Sequence, residues 1–131
     1  MLNNFLVEKK LITTAAPGVN FDGKWRNELN SEMELKINAN GAVSGKYKTG
    51  VGAPGKTEEF ELTGFTSGDL LSFTVNFGNY GSLTSWAGQL TTEGGVEVIK
   101  TMWLLARNIK DADEPESIWG AILTGYDNFK R

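Results

Sequence analysis

The sequence has no cysteine and no histidine. Without cysteine there are no disulfides and no thiolate nucleophile, and without histidine there is no Ser-His relay. Together the two absences exclude a zinc site with the usual nitrogen and sulfur ligands, so no metal is expected. A chain without disulfides is compatible with either side of a membrane, and its redox compartment is not legible from its residues. An excess of positive charge is also missing. Lys and Arg total 13 against 16 Asp and Glu, a formal net charge of -3, whereas a nucleic-acid binder needs a clustered basic surface. No apolar run approaches the roughly 20 residues of a membrane-crossing helix. These absences predict no nucleic-acid partner and no membrane partner.

What is present fits one soluble globular domain. A chain of 131 residues is long enough for one core and too short for two. The opening stretch, "MLNNFLVEKKLITTAAPGVN", differs from the rest. Glu8, Lys9 and Lys10 interrupt its apolar residues, so it does not read as an intact signal peptide. A short helix over Asn4 to Ile12 and a break at Pro17-Gly18 predict an extension over residues 1–20, a flexible or docking arm, ahead of a domain over 21–131.

From Phe21 onward the punctuation is that of an all-β protein. Turn signals such as Asn40-Gly41, Ser67-Gly68, Gly78-Asn79 and Gly94-Gly95 separate short runs of strand-forming residues. The spacing predicts about eight strands. They run near Gly23 to Leu29, Glu32 to Ile37, Ala42 to Lys48, Glu58 to Thr66, Leu70 to Phe77, Leu83 to Thr91, Val96 to Arg107 and Ser117 to Phe129. Short hairpins without long crossovers predict an antiparallel up-and-down β-barrel, which leaves no exposed edge. An eight-stranded barrel encloses side chains or one small ligand.

The run "IKTMWLLAR", Ile99 to Arg107, is apolar on both faces, although a strand of a small antiparallel protein usually wets one of them. Ile99, Thr101, Trp103 and Leu105 are expected inside, leaving Val98, Met102 and Leu104 as an outward apolar patch. A second concentration is aromatic. Trp25, Phe77, Trp86, Trp103 and Trp119 are interleaved with Asn27, Ser31, Tyr47, Thr49, Ser82, Thr84 and Asp127. Taken singly, the tryptophans fit a core and the polar residues fit strand ends. Taken together, they fit a pocket with apolar walls and a few fixed donors and acceptors.

Four segments carry a resemblance: "GKWRNELNSEMELKINANGAVSGKYKTGVG", "SLTSWAGQ", "IKTMWLLAR" and "SIWGAILTGYDNF". In that order they resemble the avidin and streptavidin family of biotin-binding proteins, from Phe21 to Phe129. Gly23-Lys24-Trp25 alone is weak, because lipocalin-like barrels share it. Asn27-x-Leu29-x-Ser31, Tyr47 with Thr49, Trp103-Leu104-Leu105 and Gly125-Tyr126-Asp127 are jointly specific.

The resemblance implies a site for a cyclic urea. Asn27, Ser31 and Tyr47 would donate to the ureido oxygen, while Asp127 and Thr49 would accept from its N–H groups. Phe77, Trp86 and Trp103 would form the walls, with Leu29, Val51 and Leu105 filling gaps. Thr84 would meet the thioether and Ser82 the carboxylate tail. Thr49 stands where the family often has serine, and Phe77 where streptavidin has tryptophan. "GNYGSL" is shorter than its streptavidin counterpart, and the longer "GVGAPGKTEE" resembles the family's lid. The family also implies self-association as a homotetramer, with Met102, Thr124 and Tyr126 at subunit boundaries and Trp119 reaching into a neighbour's pocket. Secretion is expected from the same resemblance, and no cofactor besides biotin as ligand. A lipocalin-like carrier of another apolar ligand and a barrel enzyme using Asp127 as an acid or base are the alternatives. The enzyme lacks a second catalytic group.

Overall fold

The computed structural model describes residues 19–51 and 58–131. The expected amino-terminal helix and the Gly-rich segment 52–57 lie outside the described residues. Eight antiparallel strands close into one barrel, each paired with its sequence neighbours and β8 returning to β1. They are β1 (Gly23–Arg26), β2 (Glu32–Ile37), β3 (Ala42–Lys48), β4 (Phe60–Ser67), β5 (Leu70–Asn76), β6 (Ser82–Glu93), β7 (Val96–Arg107) and β8 (Ile122–Lys130). The bounds of β2, β3 and β7 coincide with those expected from the sequence.

Two expected strands are too long. The first stops at Arg26 because Asn27 opens a tight turn: its N–H donates to the Ser31 carbonyl at 3.0 Å, and its carbonyl accepts from the Asn30 N–H at 3.1 Å. Asn30 has φ 64, a left-handed conformation that asparagine adopts more readily than most side chains. The eighth strand starts at Ile122 instead of Ser117. Ahead of it lie a 3-10 turn (Asp111–Asp113), one helical turn α1 (Glu114–Ser117) and a second 3-10 turn (Ile118–Ala121). Pro115 and the flanking acids Glu114 and Glu116 suit the first turn of a helix, a start signal the strand reading passed over.

Alternation along the strands separates inside from outside. On β2, Met33 and Leu35 are buried while Glu34 and Lys36 are exposed. Strand direction gathers the β1–β2, β3–β4, β5–β6 and β7–β8 connections at one end of the barrel. Toward the other end the same core contains Phe21, Trp25, Leu35, Ile99 and Phe129, against which Val19 also packs. The Trp25 indole N–H donates to the Phe21 carbonyl at 2.9 Å, and the Arg131 guanidinium lies 4.1 Å from the centre of the Trp25 ring. Arg131 also donates to the Asp22 carbonyl at 2.7 Å and to the Asn20 carbonyl. These contacts span the β1–β8 seam, whose ladder contains the single pair Arg26 with Lys130.

The outward row of β7 follows the expectation with one correction. Met102 is 65% exposed and Leu104 57%, whereas Val98 is 1% exposed. Val98 lies between Thr91 on β6 and Lys130 on β8 and is covered within its own chain, so it does not belong to the open patch.

Candidate ligand-binding site

Six polar or charged residues are buried among the described ones: Asn27, Ser31, Thr49, Thr84, Thr101 and Asp127. Burying such groups is costly unless their donors and acceptors are met. All but Thr101 are among the residues singled out in the sequence for a ligand. They collect toward the open end, and the bonds they already make define what each still offers.

The Asn27 side-chain oxygen accepts from the backbone N–H groups of Leu29 (3.0 Å) and Ser31 (2.9 Å). That fixes the amide orientation and leaves its NH₂ as a donor, with Asp127 within its reach. The Ser31 hydroxyl accepts the Gly50 N–H at 3.0 Å and keeps its own proton to give. Gly50 has to be glycine here, because a Cβ would overlap the backbone of Leu29 and Asn30 in the β1–β2 turn. Thr49 donates to the Val51 carbonyl at 2.7 Å and accepts the Val51 N–H at 3.2 Å, so only acceptor capacity remains.

Tyr47 is 3% exposed. Burial pushes its phenol up from its ordinary value, the Ser31 hydroxyl pulls it part of the way back, and Asp127 and Glu28 add to the rise. It therefore stays a neutral O–H donor. Asp127 is 5% exposed and accepts the Trp86 indole N–H at 2.8 Å, while its backbone carbonyl accepts the Thr101 hydroxyl at 3.0 Å. Burial raises its carboxyl, the Trp86 bond lowers it, the charge of Glu28 raises it further, and Asn27 lowers it.

The walls are aromatic. Trp86 stacks on Phe73 with ring centroids 4.8 Å apart and lies 5.0 Å from Tyr47. Phe77 stands edge-on to Tyr47 and Phe60 at 6.1 and 4.9 Å. Trp103 pairs across the sheet with Trp86 on β6 and Gly125 on β8, and its indole occupies the space a Cβ at Gly125 would need. At the mouth, Leu29 and Val51 are each 51% exposed, Ser82 and Leu105 half-buried. The Thr84 hydroxyl is the one buried side-chain polar atom without a hydrogen-bond partner among the described residues. Its cross-strand neighbours are Val75 and Leu105, which cannot supply one. Sequence reasoning missed Phe73, which reads as ordinary core, and Glu28, whose proximity to Asp127 depends on the β1–β2 turn.

The profile of the Avidin family matches residues 15–131. The chain belongs to the avidin family. It is 36% identical to avidin-related protein 4/5 of Gallus gallus, over 83% of this chain and 75% of that protein. It is 32% identical to avidin of Gallus gallus, over 92% of this chain and 86% of that protein. Among solved structures it resembles the crystal structure of xenavidin, with TM-score 0.73 and 34% identity over 86% of this chain and 97% of the other. The avidin-family assignment agrees with the closed eight-stranded barrel and gives the buried polar cluster its context: this is a family of binding proteins.

The residues expected at avidin-family subunit boundaries lie on the outside. Met102 and Tyr126 face each other across β7 and β8, Tyr126 is 75% exposed, and the Thr124 hydroxyl donates to the Trp103 carbonyl at 2.8 Å. Trp119, in the second 3-10 turn, is 83% exposed and so does not pack into its own barrel.

Proposed function

We propose that this protein binds biotin non-covalently and with high affinity in the open end of its barrel, without chemical turnover. The observation that carries the reading is the unspent valence of the buried cluster. Asn27 and Ser31 retain donors, Thr49 and Asp127 retain acceptors, and Tyr47 adds a neutral phenol beside Ser31. A cyclic urea presents the complement: one carbonyl oxygen and two N–H groups. The Thr84 hydroxyl awaits a weak partner such as a thioether sulfur. Phe77, Trp86 and Trp103, with Leu29, Val51 and Leu105, supply apolar walls for the bicyclic ring and tail, and Ser82 stands at the rim. A closed barrel holds these groups before the ligand arrives, which limits the ordering cost of binding.

The reading extends to assembly and location: a secreted homotetramer in which Trp119 covers the ligand of a neighbouring subunit. Its support is an indole 83% exposed ahead of β8, in a chain that also exposes Met102 and Tyr126 on the outside of β7 and β8. Trp119→Ala is expected to weaken biotin binding and to loosen the assembly measured by analytical ultracentrifugation. An unchanged affinity together with an unchanged mass would remove this role.

The direct test is calorimetric titration with biotin alongside an analogue lacking the ureido group. Saturation near one biotin per chain, with affinity collapsing for the analogue, is the expected result. Absence of heat with biotin at high micromolar concentration would move a lipocalin-like carrier to first place.

A further inference from the structure

We infer that Arg107 is a specificity-determining residue of the pocket rim, selecting ligands whose tail ends in a carboxylate over those whose tail ends in an amide. The inference rests on the ligand reading above. A ligand with a neutral hydrogen-bonding head and an acid tail cannot bury the ionised acid without a partner. The tail therefore has to emerge at the open end, and the question is what meets it there.

Acids outnumber the cations Lys48, Arg107 and Lys110 among the described residues of the rim, and of the three only Arg107 lies on an inward row. Glu28 on the β1–β2 turn, Glu58 and Glu59 ahead of β4, and Asp111, Asp113, Glu114 and Glu116 between β7 and β8 all belong to this end of the barrel. Such a rim repels an anionic tail unless a cation is placed beside its exit. Arg107 has that position. It is the last residue of β7, on the interior-facing row of Ile99, Thr101, Trp103 and Leu105, directly opposite Ser82 of β6. Trp103 and Leu105 of that row are half-buried, and Arg107, exposed, is the next rung outward.

Its guanidinium is exposed but tethered, with Nη2 donating to the Gly120 carbonyl at 3.3 Å. The contact uses one of five N–H donors and holds the side chain near the β7–β8 connection. None of the salt bridges among the described residues engages Arg107. A planar guanidinium with unused parallel donors matches a carboxylate in charge and shape, whereas a primary amide offers it one neutral oxygen.

The experiment compares desthiobiotin with its primary amide, titrated calorimetrically into the full chain at low and at high salt. The acid is expected to bind tighter than the amide by roughly two- to fivefold at low salt, the size of an exposed ion pair. The preference shrinks in high salt because the charges are screened. Arg107→Gln brings the acid-to-amide ratio to one or below, because the acidic rim is then unopposed, and Arg107→Lys restores part of the preference. Using the ratio cancels any general change in the pocket. A wild-type ratio of one at low salt, or a preference that survives Arg107→Gln, overturns the assignment and leaves the ligand reading intact. Failure of the wild type to bind either compound overturns both.

Discussion

The two ends of this barrel are built on opposite principles. At the closed end the polar groups of Trp25 and Arg131 are already answered: the indole N–H by the Phe21 carbonyl, the guanidinium by the Asp22 and Asn20 carbonyls and the Trp25 ring. At the open end, buried polar groups are answered in part. Asn27 and Ser31 spend their acceptors on backbone N–H groups and keep donors, Thr49 spends its proton, and Thr84 is answered by nothing among the described residues. Satisfied burial stabilises a fold, and unsatisfied burial costs stability that a ligand can return. The difference places structural demand at one end and, on the proposed function, recognition at the other.

The strongest way to break that comparison is Trp25→Ala. Trp25 is 1% exposed, and its loss leaves a large cavity and removes the platform under Arg131. Denaturant unfolding should report a loss of about 3–5 kcal/mol. The surviving folded fraction should still take up biotin at an unchanged ratio per chain. A changed ratio would show that the two ends are not independent.

Asp127→Asn attacks the other end. Replacing a charged acceptor by a neutral one should weaken biotin binding by about 1.5–3 kcal/mol in titration. On the proposed binding mode the wild type should lose affinity in acid, because a protonated Asp127 could no longer accept from the ureido N–H. Burial, reinforced by the charge of Glu28, raises this carboxyl, so the loss begins above the ordinary value of 3.8. Ligand-free stability runs the opposite way. The folded value lies above the unfolded one, folding takes up a proton between them, and this group's contribution falls as pH rises through that window. Glu28→Gln should move the acid loss of affinity to lower pH. Titration with an amide-tailed ligand keeps the tail's own carboxyl out of the profile.

Much of this organisation was legible in the sequence, for identifiable reasons. Period-two alternation in Met33, Leu35 and Ile37 and the glycine turns determine strands by local rules, and the bounds of β2, β3 and β7 follow from them. The buried polar set was found because polar residues interleaved with tryptophans on inward rows are hard to explain as core alone. What escaped depends on contacts distant in sequence. Glu28 lies close to Asp127 only after β1 and β8 close the barrel, and Asn128 fixes it by donating its N–H to Glu28 Oε2 at 3.0 Å. Phe73 becomes a wall only by stacking on Trp86. Val98 reads as outward and is buried, because alternation gives the direction of a side chain and not what the rest of the chain lays over it.

The finest test of the comparison is Thr84→Val, a change of nearly constant shape that removes one hydroxyl. Thr84 is 3% exposed, with Val75 and Leu105 across the sheet on either side. At a satisfied position the substitution would forfeit a hydrogen bond and destabilise the protein. Here no bond exists to lose, so the ligand-free protein should gain about 1 kcal/mol in denaturant unfolding. Biotin should bind less tightly, because the hydroxyl proposed to meet its sulfur is gone. The two readouts move in opposite directions only if the open end holds its polar groups in reserve for a ligand. A loss of stability together with an unchanged affinity would mean that Thr84 is partnered within the chain and that this part of the barrel is built like the closed end.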